Sequence, residues 1–138
     1  MKHTMRKRET QAQLDARKRR ALRVARELRK LFPKARVSLN YRTPWELLVA
    51  VILSAQCTDI QVNKVTVALF KKYHRFEDYL RASRTQQGIR KFEQAIHSSG
   101  FYRAKAKNIL ATANIIEKRF DGRVPRTMEE LTSLRGVG

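Results

Sequence analysis

An all-α fold is predicted by three features of this 138-residue chain. Apolar residues recur at helical spacing almost throughout, and capping signals open several of the periodic segments. No stretch alternates apolar and polar residues in the manner of a half-buried strand. With 42% hydrophobic residues the chain is one domain's worth of globular protein, able to bury a core.

The elements follow in order. From Glu9 to Phe32, apolar residues fall at Leu14, Ala21, Ala25, Leu28 and Phe32, with Leu22 and Leu31 beside them. Arg and Lys fill the other faces, so this is one helix stripe, ended by Pro33. A polar linker runs to Tyr41. Thr43-Pro44-Trp45-Glu46 then opens a helix: Thr43 caps, Pro44 suits the first position, and Glu46 is placed to close a capping box. Trp45 to Ala55 is apolar nearly all round, which predicts a central, buried helix. Thr58 or Asp59 caps the next, carrying Val62, Val65, Ala68 and Leu69 to about Tyr73. A short helix is predicted over Phe76–Ala82. Another over Thr85–Ser98 has Ile89, Phe92 and Ile96 on one face and stops at Gly100, a natural left-handed position. Residues 103–119 are amphipathic through Ala106, Ile109, Leu110, Ala113, Ile116 and Phe120. Asp121-Gly122 turns the chain, and Thr127-Met128-Glu129-Glu130 starts a brief helix to Ser133 with a second capping box.

Charge narrows the partner. The net charge is +19, and residues 1–36 alone hold 14 Lys/Arg against Glu9, Asp15 and Glu27. Such an excess points to a polyanion, because each cation set on a phosphate releases condensed counterions. The plainer alternative for the lead is a solvated helix face. A membrane is the weaker reading, since the longest apolar run, Leu47 to Leu53, is far too short to span a bilayer. The start MKHTMRKRET lacks an apolar core for a secretory signal, so a cytoplasmic location is expected. The single Cys57 excludes an internal disulfide framework or a Cys-rich metal site. His3, His74 and His97 have no ligand spacing.

Three local groups of residues carry the functional inference. Trp45 through Ser54-Ala55-Gln56-Cys57-Thr58-Asp59, followed by Val62-Asn63-Lys64, is a buried helix with a polar exit loop. Ser99-Gly100-Phe101-Tyr102-Arg103-Ala104-Lys105-Ala106 is a Gly-aromatic turn opening a basic helix. Gly122-Arg123-Val124-Pro125 leads through Leu131 to Leu134-Arg135-Gly136-Val137-Gly138. There the glycines allow positive φ, so successive N–H groups can converge on one phosphate.

In order and spacing, residues 39–138 resemble the endonuclease III branch of the helix-hairpin-helix DNA glycosylases, most specifically in the Leu-Ser-Ala-Gln-x-Thr-Asp loop. The resemblance implies an incomplete six-helix glycosylase domain over residues 37–138, preceded by a basic N-terminal helix over 1–36. It also implies duplex DNA, damaged or abasic, as partner. A glycosylase must extrude its target nucleotide and fill the gap left in the stack, at a cost of roughly a few kcal/mol. The resemblance gives Gln56 that filling role; read locally, Gln56 could instead bond the last carbonyls of its helix. Asp59 is a base-proximal candidate and equally a plain N-cap. Phe101 stands where bacterial members of that branch are implied to carry a leucine wedge; it can stack on bases or pack over the helix start. Arg103 and Lys105 are candidates for phosphate, and Lys107 for solvent. Arg135, Gly136, Val137 and Gly138 form the phosphate-binding turn, with Arg135 in place of the family's usual proline.

The family's chemistry is implied to lie past Gly138. There a lysine attacks C1′ of the deoxyribose to form a Schiff base, an aspartate assists, and four cysteines hold a 4Fe-4S cluster. No catalytic residue is assigned within 1–138: Lys64 and Asp59 are nearest by composition, but the match puts them elsewhere. The chain is therefore expected to be an inactive piece of a base-excision enzyme that removes oxidised pyrimidines and nicks the abasic site. No cofactor is expected within these 138 residues; the resemblance implies the 4Fe-4S cluster for a full-length relative. The apolar stripe of the first helix would lack its cover, which predicts marginal stability and self-association. Two alternatives stand beside this: a non-catalytic basic DNA-binding module, and a basic helical protein of ribosomal or RNA-associated type, which the Gln56 motif disfavours.

Overall fold

A computed structural model describes residues 9–138, which form seven α-helices and no strand. The chain divides into two compact units, one running to Val37 and one from Ser38 to Gly138. His3 and the lead's Lys2, Arg6, Lys7 and Arg8 lie outside the described residues.

The first unit is built on α1, Gln11–Leu31. Its start is a capping box: Thr10 Oγ1 accepts from the Gln13 N–H at 3.3 Å, and Gln13 Oε1 accepts from the Thr10 N–H at 2.9 Å. Arg29 and Lys30 in the last turn suit the negative end of the helix dipole. No residue of α1 is buried, and Leu22, Leu28, Leu31 and Phe32 are all exposed.

In the second unit α2, Pro44–Ser54, is the central helix. Val49, Ala50, Ile52 and Leu53 are fully or almost fully buried, as its all-round apolar sequence requires. Thr43 Oγ1 accepts from the Glu46 N–H at 3.1 Å, but the predicted box is not closed. The Glu46 carboxylate turns instead to Arg42, accepting its backbone N–H at 2.6 Å and its guanidinium at 2.7 Å. Glu46 is only 3% exposed, and Arg42 offers its carboxylate both a backbone N–H and a charged guanidinium. Burial alone would push the carboxyl up; the side chain and N–H of Arg42 outweigh it and hold the carboxyl below the ordinary value of 4.5.

Around α2 lie α3 (Asp59–Lys72), α4 (Phe76–Ala82), α5 (Gln86–Ala95) and α6 (Tyr102–Phe120), with α7 (Met128–Thr132) last. Thr58, not Asp59, caps α3, accepting from the Gln61 N–H at 3.2 Å. Thr85 and Thr127 cap α5 and α7 in the same way. The helix expected to run to Ser98 ends at Ala95, and a 3₁₀ turn over His97–Ser99 completes it. Trp45 packs edge-on against Phe76 and Tyr79, and Phe92 edge-on against Tyr73, with ring centroids 5.0–5.1 Å apart. These aromatics tie α2, α4 and α5 into one core. No helix among the described residues is long and apolar enough to cross a membrane.

Candidate nucleic-acid interface

Three loops are anchored along one side of α6. Lys105 and Thr112 hold them by hydrogen bonds and Asn108 lies against Gly136; the three are spaced i, i+3 and i+7, so they stack on one face over about 10 Å of helix.

The first loop leaves α2 at Ala55 and carries Gln56 in a left-handed backbone conformation, φ 50. Only glycine adopts that region freely, so the conformation costs about 1 kcal/mol. Gln56 is exposed. The carbonyl of Leu53 near the helix end is taken by Lys105 Nζ at 2.8 Å.

The second loop is Gly100-Phe101. Gly100 is not left-handed as expected. It sits at φ 70, ψ 155, an extended positive-φ region essentially reserved for glycine. An added Cβ there would meet nothing within 4 Å, so the requirement is the backbone's own. Phe101 is the left-handed residue, at φ 46, ψ 33, and its side chain is 69% exposed. It does not pack over the helix start; it stands out from the turn. Beside it the Arg103 guanidinium lies 5.3 Å from the Tyr102 ring centre. The ring in turn lies 4.5 Å from that of His97.

The third loop is the hairpin turn. Leu134 is buried and Val137 half-buried, while Arg135 and Gly136 face solvent. Thr112 Oγ1 donates to the Arg135 carbonyl at 3.0 Å. Gly136 has φ +80, which favours glycine, and a Cβ there would come 3.0 Å from Asn108 Nδ2, so the Asn108 side chain would have to shift to admit one. Gly138, expected to share the positive φ, does not; what a Cβ would meet there is the Thr132 carbonyl, at 3.0 Å.

Two candidates are placed differently from expectation. Lys105 is not a surface cation waiting for phosphate. It is 5% exposed, and its ammonium also donates to the Ser99 carbonyl at 2.7 Å. Burial lowers its pKa from the ordinary lysine value, with Cys57 opposing the shift. Asp59 occupies the first turn of α3 and accepts the Ser38 hydroxyl. Asn63 reinforces that link, donating to the Ser38 carbonyl at 2.9 Å and accepting the Asn40 N–H at 2.8 Å. Lys64 is exposed on α3. The three loops thus leave Gln56, Phe101, Arg135 and Gly136 exposed, with Arg103 exposed on the first turn of α6 beside Phe101.

A four-cysteine cluster does not fit these residues, because Cys57 is the single cysteine. Among the described residues no group of three or more His, Cys, Asp or Glu is placed to hold a metal.

The HhH-GPD superfamily base excision DNA repair protein model matches residues 49–136. The chain is 49% identical over 122 residues to endonuclease III of Synechocystis sp., covering 88% of this chain and 53% of that protein. It is 48% identical over 108 residues to endonuclease III of Bacillus subtilis, covering 78% and 47%. Its structure matches that of a non-covalent endonuclease III–DNA complex with a TM-score of 0.74 at 44% identity, over 88% of this chain and 54% of that one. The chain spans about half the length of the curated relatives it matches.

Proposed function

Because this chain belongs to the HhH-GPD superfamily of base excision DNA repair proteins, we propose that residues 38–138 grip duplex DNA and fill the gap left by an extruded nucleotide. The observation that carries this is the pairing of Gln56 and Phe101. Both are exposed and both have left-handed backbone conformations, on loops that meet at one buried ammonium. A polar residue and an aromatic set on backbone turns with positive φ suit insertion into a base stack, because the loop backbone has less freedom left to lose when it enters the gap. Arg103, Arg135 and the amides around Gly136 supply the phosphate contacts.

The activity of the lineage is removal of oxidised pyrimidines followed by strand cleavage at the abasic site. In this reading the grip and the wedge belong to residues 38–138, damaged or abasic duplex is the target, and the location follows the nucleoid. The lysine nucleophile, its aspartate and a 4Fe-4S cluster belong to the family's sequence beyond the hairpin. A non-catalytic basic DNA-binding module is the second reading, which the net charge of +19 fits as well.

Two measurements on the 138-residue chain test this. Binding to undamaged duplex is expected to be weak, on the order of 10⁻⁴–10⁻⁶ M at physiological salt, and to weaken steeply as salt rises. Binding to a duplex with an abasic analogue is expected to be tighter, and Q56A removes the difference. Salt-insensitive binding, or equal affinity for the two duplexes, counts against the proposal. Borohydride trapping on an abasic duplex should give no covalent adduct; an adduct lost on mutating a lysine of this chain would place the nucleophile inside it.

A further inference from the structure

We infer that Lys105 is a positioning residue that clamps the two inserting loops to one another. The inference rests on the reading of Gln56 and Phe101 given above, and it concerns how their spacing is set.

The geometry is specific. Lys105 Nζ donates to Leu53 O at 2.8 Å and to Ser99 O at 2.7 Å, across sequence separations of 52 and 6 residues. Leu53 lies three residues before Gln56, and Ser99 two before Phe101. A single cation therefore joins the stems of both loops. A second, independent tie runs beside it: Gln61 Nε2, on α3, donates to Ser98 O at 3.2 Å. The Ser99 side chain is itself buried and donates to Ile96 O at 2.7 Å, which fixes the acceptor's orientation.

A cation is a costly choice for this place. Among the described residues Lys105 makes no ion pair; its partners are neutral carbonyls. A methionine of similar length would fill the space without desolvating a charge. What methionine cannot do is supply two hydrogen bonds to carbonyls left open at the end of α2 and in the 3₁₀ turn. At the end of α2 a cation also meets the negative end of the helix dipole. The clamp holds two non-glycine residues at φ 50 and φ 46, positions the chain would otherwise relax from. Gln56 and Phe101 are thereby presented at a fixed separation before DNA arrives.

The test compares the full 138-residue chain with K105M, K105R, Q56A and F101A. Duplexes carry a tetrahydrofuran abasic analogue, with 2-aminopurine as the opposite or adjacent base. Affinity for undamaged duplex serves as the phosphate-grip control, and amide hydrogen exchange of the free proteins reports the loops directly. The clamp predicts that K105M speeds exchange at residues 55–57 and 100–102 together. It also predicts that K105M loses about tenfold of the abasic preference and most of the 2-aminopurine response. Undamaged-duplex affinity and its salt slope should stay close to wild type, and K105R should restore part of the preference. Abasic preference and loop protection unchanged in K105M overturn the clamp while leaving insertion intact, provided Q56A and F101A still lose the preference. No effect from Q56A and F101A overturns the insertion reading and the clamp with it. Should K105M fail to fold, K105R decides: wild-type preference in a variant whose two loops exchange freely overturns the clamp.

Discussion

Thr112 and Arg135 are joined by a 3.0 Å hydrogen bond from a fully buried hydroxyl to a turn carbonyl, 23 residues apart in sequence. Through this bond the hairpin is seated on α6, one helical turn beyond the place where Asn108 meets Gly136. Replacing Thr112 with Val keeps the shape and removes the donor, leaving the Arg135 carbonyl to find another partner. Unfolding in urea should show a loss of about 1 kcal/mol. If the turn is the phosphate grip, T112V should also weaken binding to undamaged duplex while Q56A does not. Unchanged duplex affinity in a destabilised T112V would remove the hairpin from the interface.

Phe101 separates two requirements that usually travel together. Its left-handed backbone is strained for a large residue, yet its side chain is mostly exposed and contributes little packing. Asparagine tolerates that backbone region better, so F101N should unfold at the same free energy or up to about 1 kcal/mol higher. The same variant should lose the 2-aminopurine response, because no aromatic ring remains to stack. Stability gained with function lost would mark a residue kept for its side chain at the backbone's expense. A strongly destabilised F101N would instead show that the ring is part of the fold.

Most helices were legible because their starts were written in side chains. Thr43, Thr58, Thr85 and Thr127 each accept a backbone N–H three residues on, and the short helix Phe76–Ala82 has the predicted bounds. The left-handed conformations of Gln56 and Phe101 were not legible, since neither is a residue type that signals positive φ. Tertiary ties at Leu53 and Ser99 flank those turns, and such ties are absent from local sequence. Lys105 was read as a surface cation because a lysine on a helix wheel is counted as polar. Its register offered a signal nonetheless: with Ile109, Thr112 and Ile116 it falls at i, i+4, i+7 and i+11, all of them buried. Glu46 was misread for a related reason. Its spacing from Thr43 fits a capping box, but its carboxylate accepts the N–H and guanidinium of Arg42 instead.

The Arg42–Glu46 pair gives the fold an acid limit. Burial disfavours the charged carboxylate, and the Arg42 contacts outweigh burial, so the folded-state pKa lies below 4.5. A carboxyl depressed in the folded state contributes stability that is fully present above its unfolded pKa. That contribution is lost as pH falls through the folded value. Wild-type unfolding free energy should therefore drop below about pH 4.5 more steeply than that of E46Q. At neutral pH, E46Q should be less stable by roughly 1–3 kcal/mol, since it exchanges a charge-assisted contact to a buried group for a neutral one. Parallel acid slopes for the two proteins would assign the limit to other carboxylates.

The first helix sets two forces against each other, and salt decides between them. α1 exposes Leu28 on its apolar stripe, with Phe32 at its end and Leu22 and Leu31 flanking the stripe on either side, beside a dense row of arginines and lysines. The apolar stripe favours association of copies, while like charges along the same helix oppose it. Raising ionic strength screens the repulsion and leaves the apolar attraction in place. Duplex binding responds in the opposite sense, because its main source is release of counterions from phosphate. Sedimentation of the 138-residue chain over a salt series should thus show self-association rising while duplex affinity falls. The triple variant L22Q/L28Q/L31Q keeps the helix, glutamine being a good helix former, and should stay monomeric at every salt concentration. Its duplex affinity should match wild type, since no cation has been removed. A wild-type chain that sediments as a monomer throughout the series would show that the exposed stripe is too small to hold two copies together.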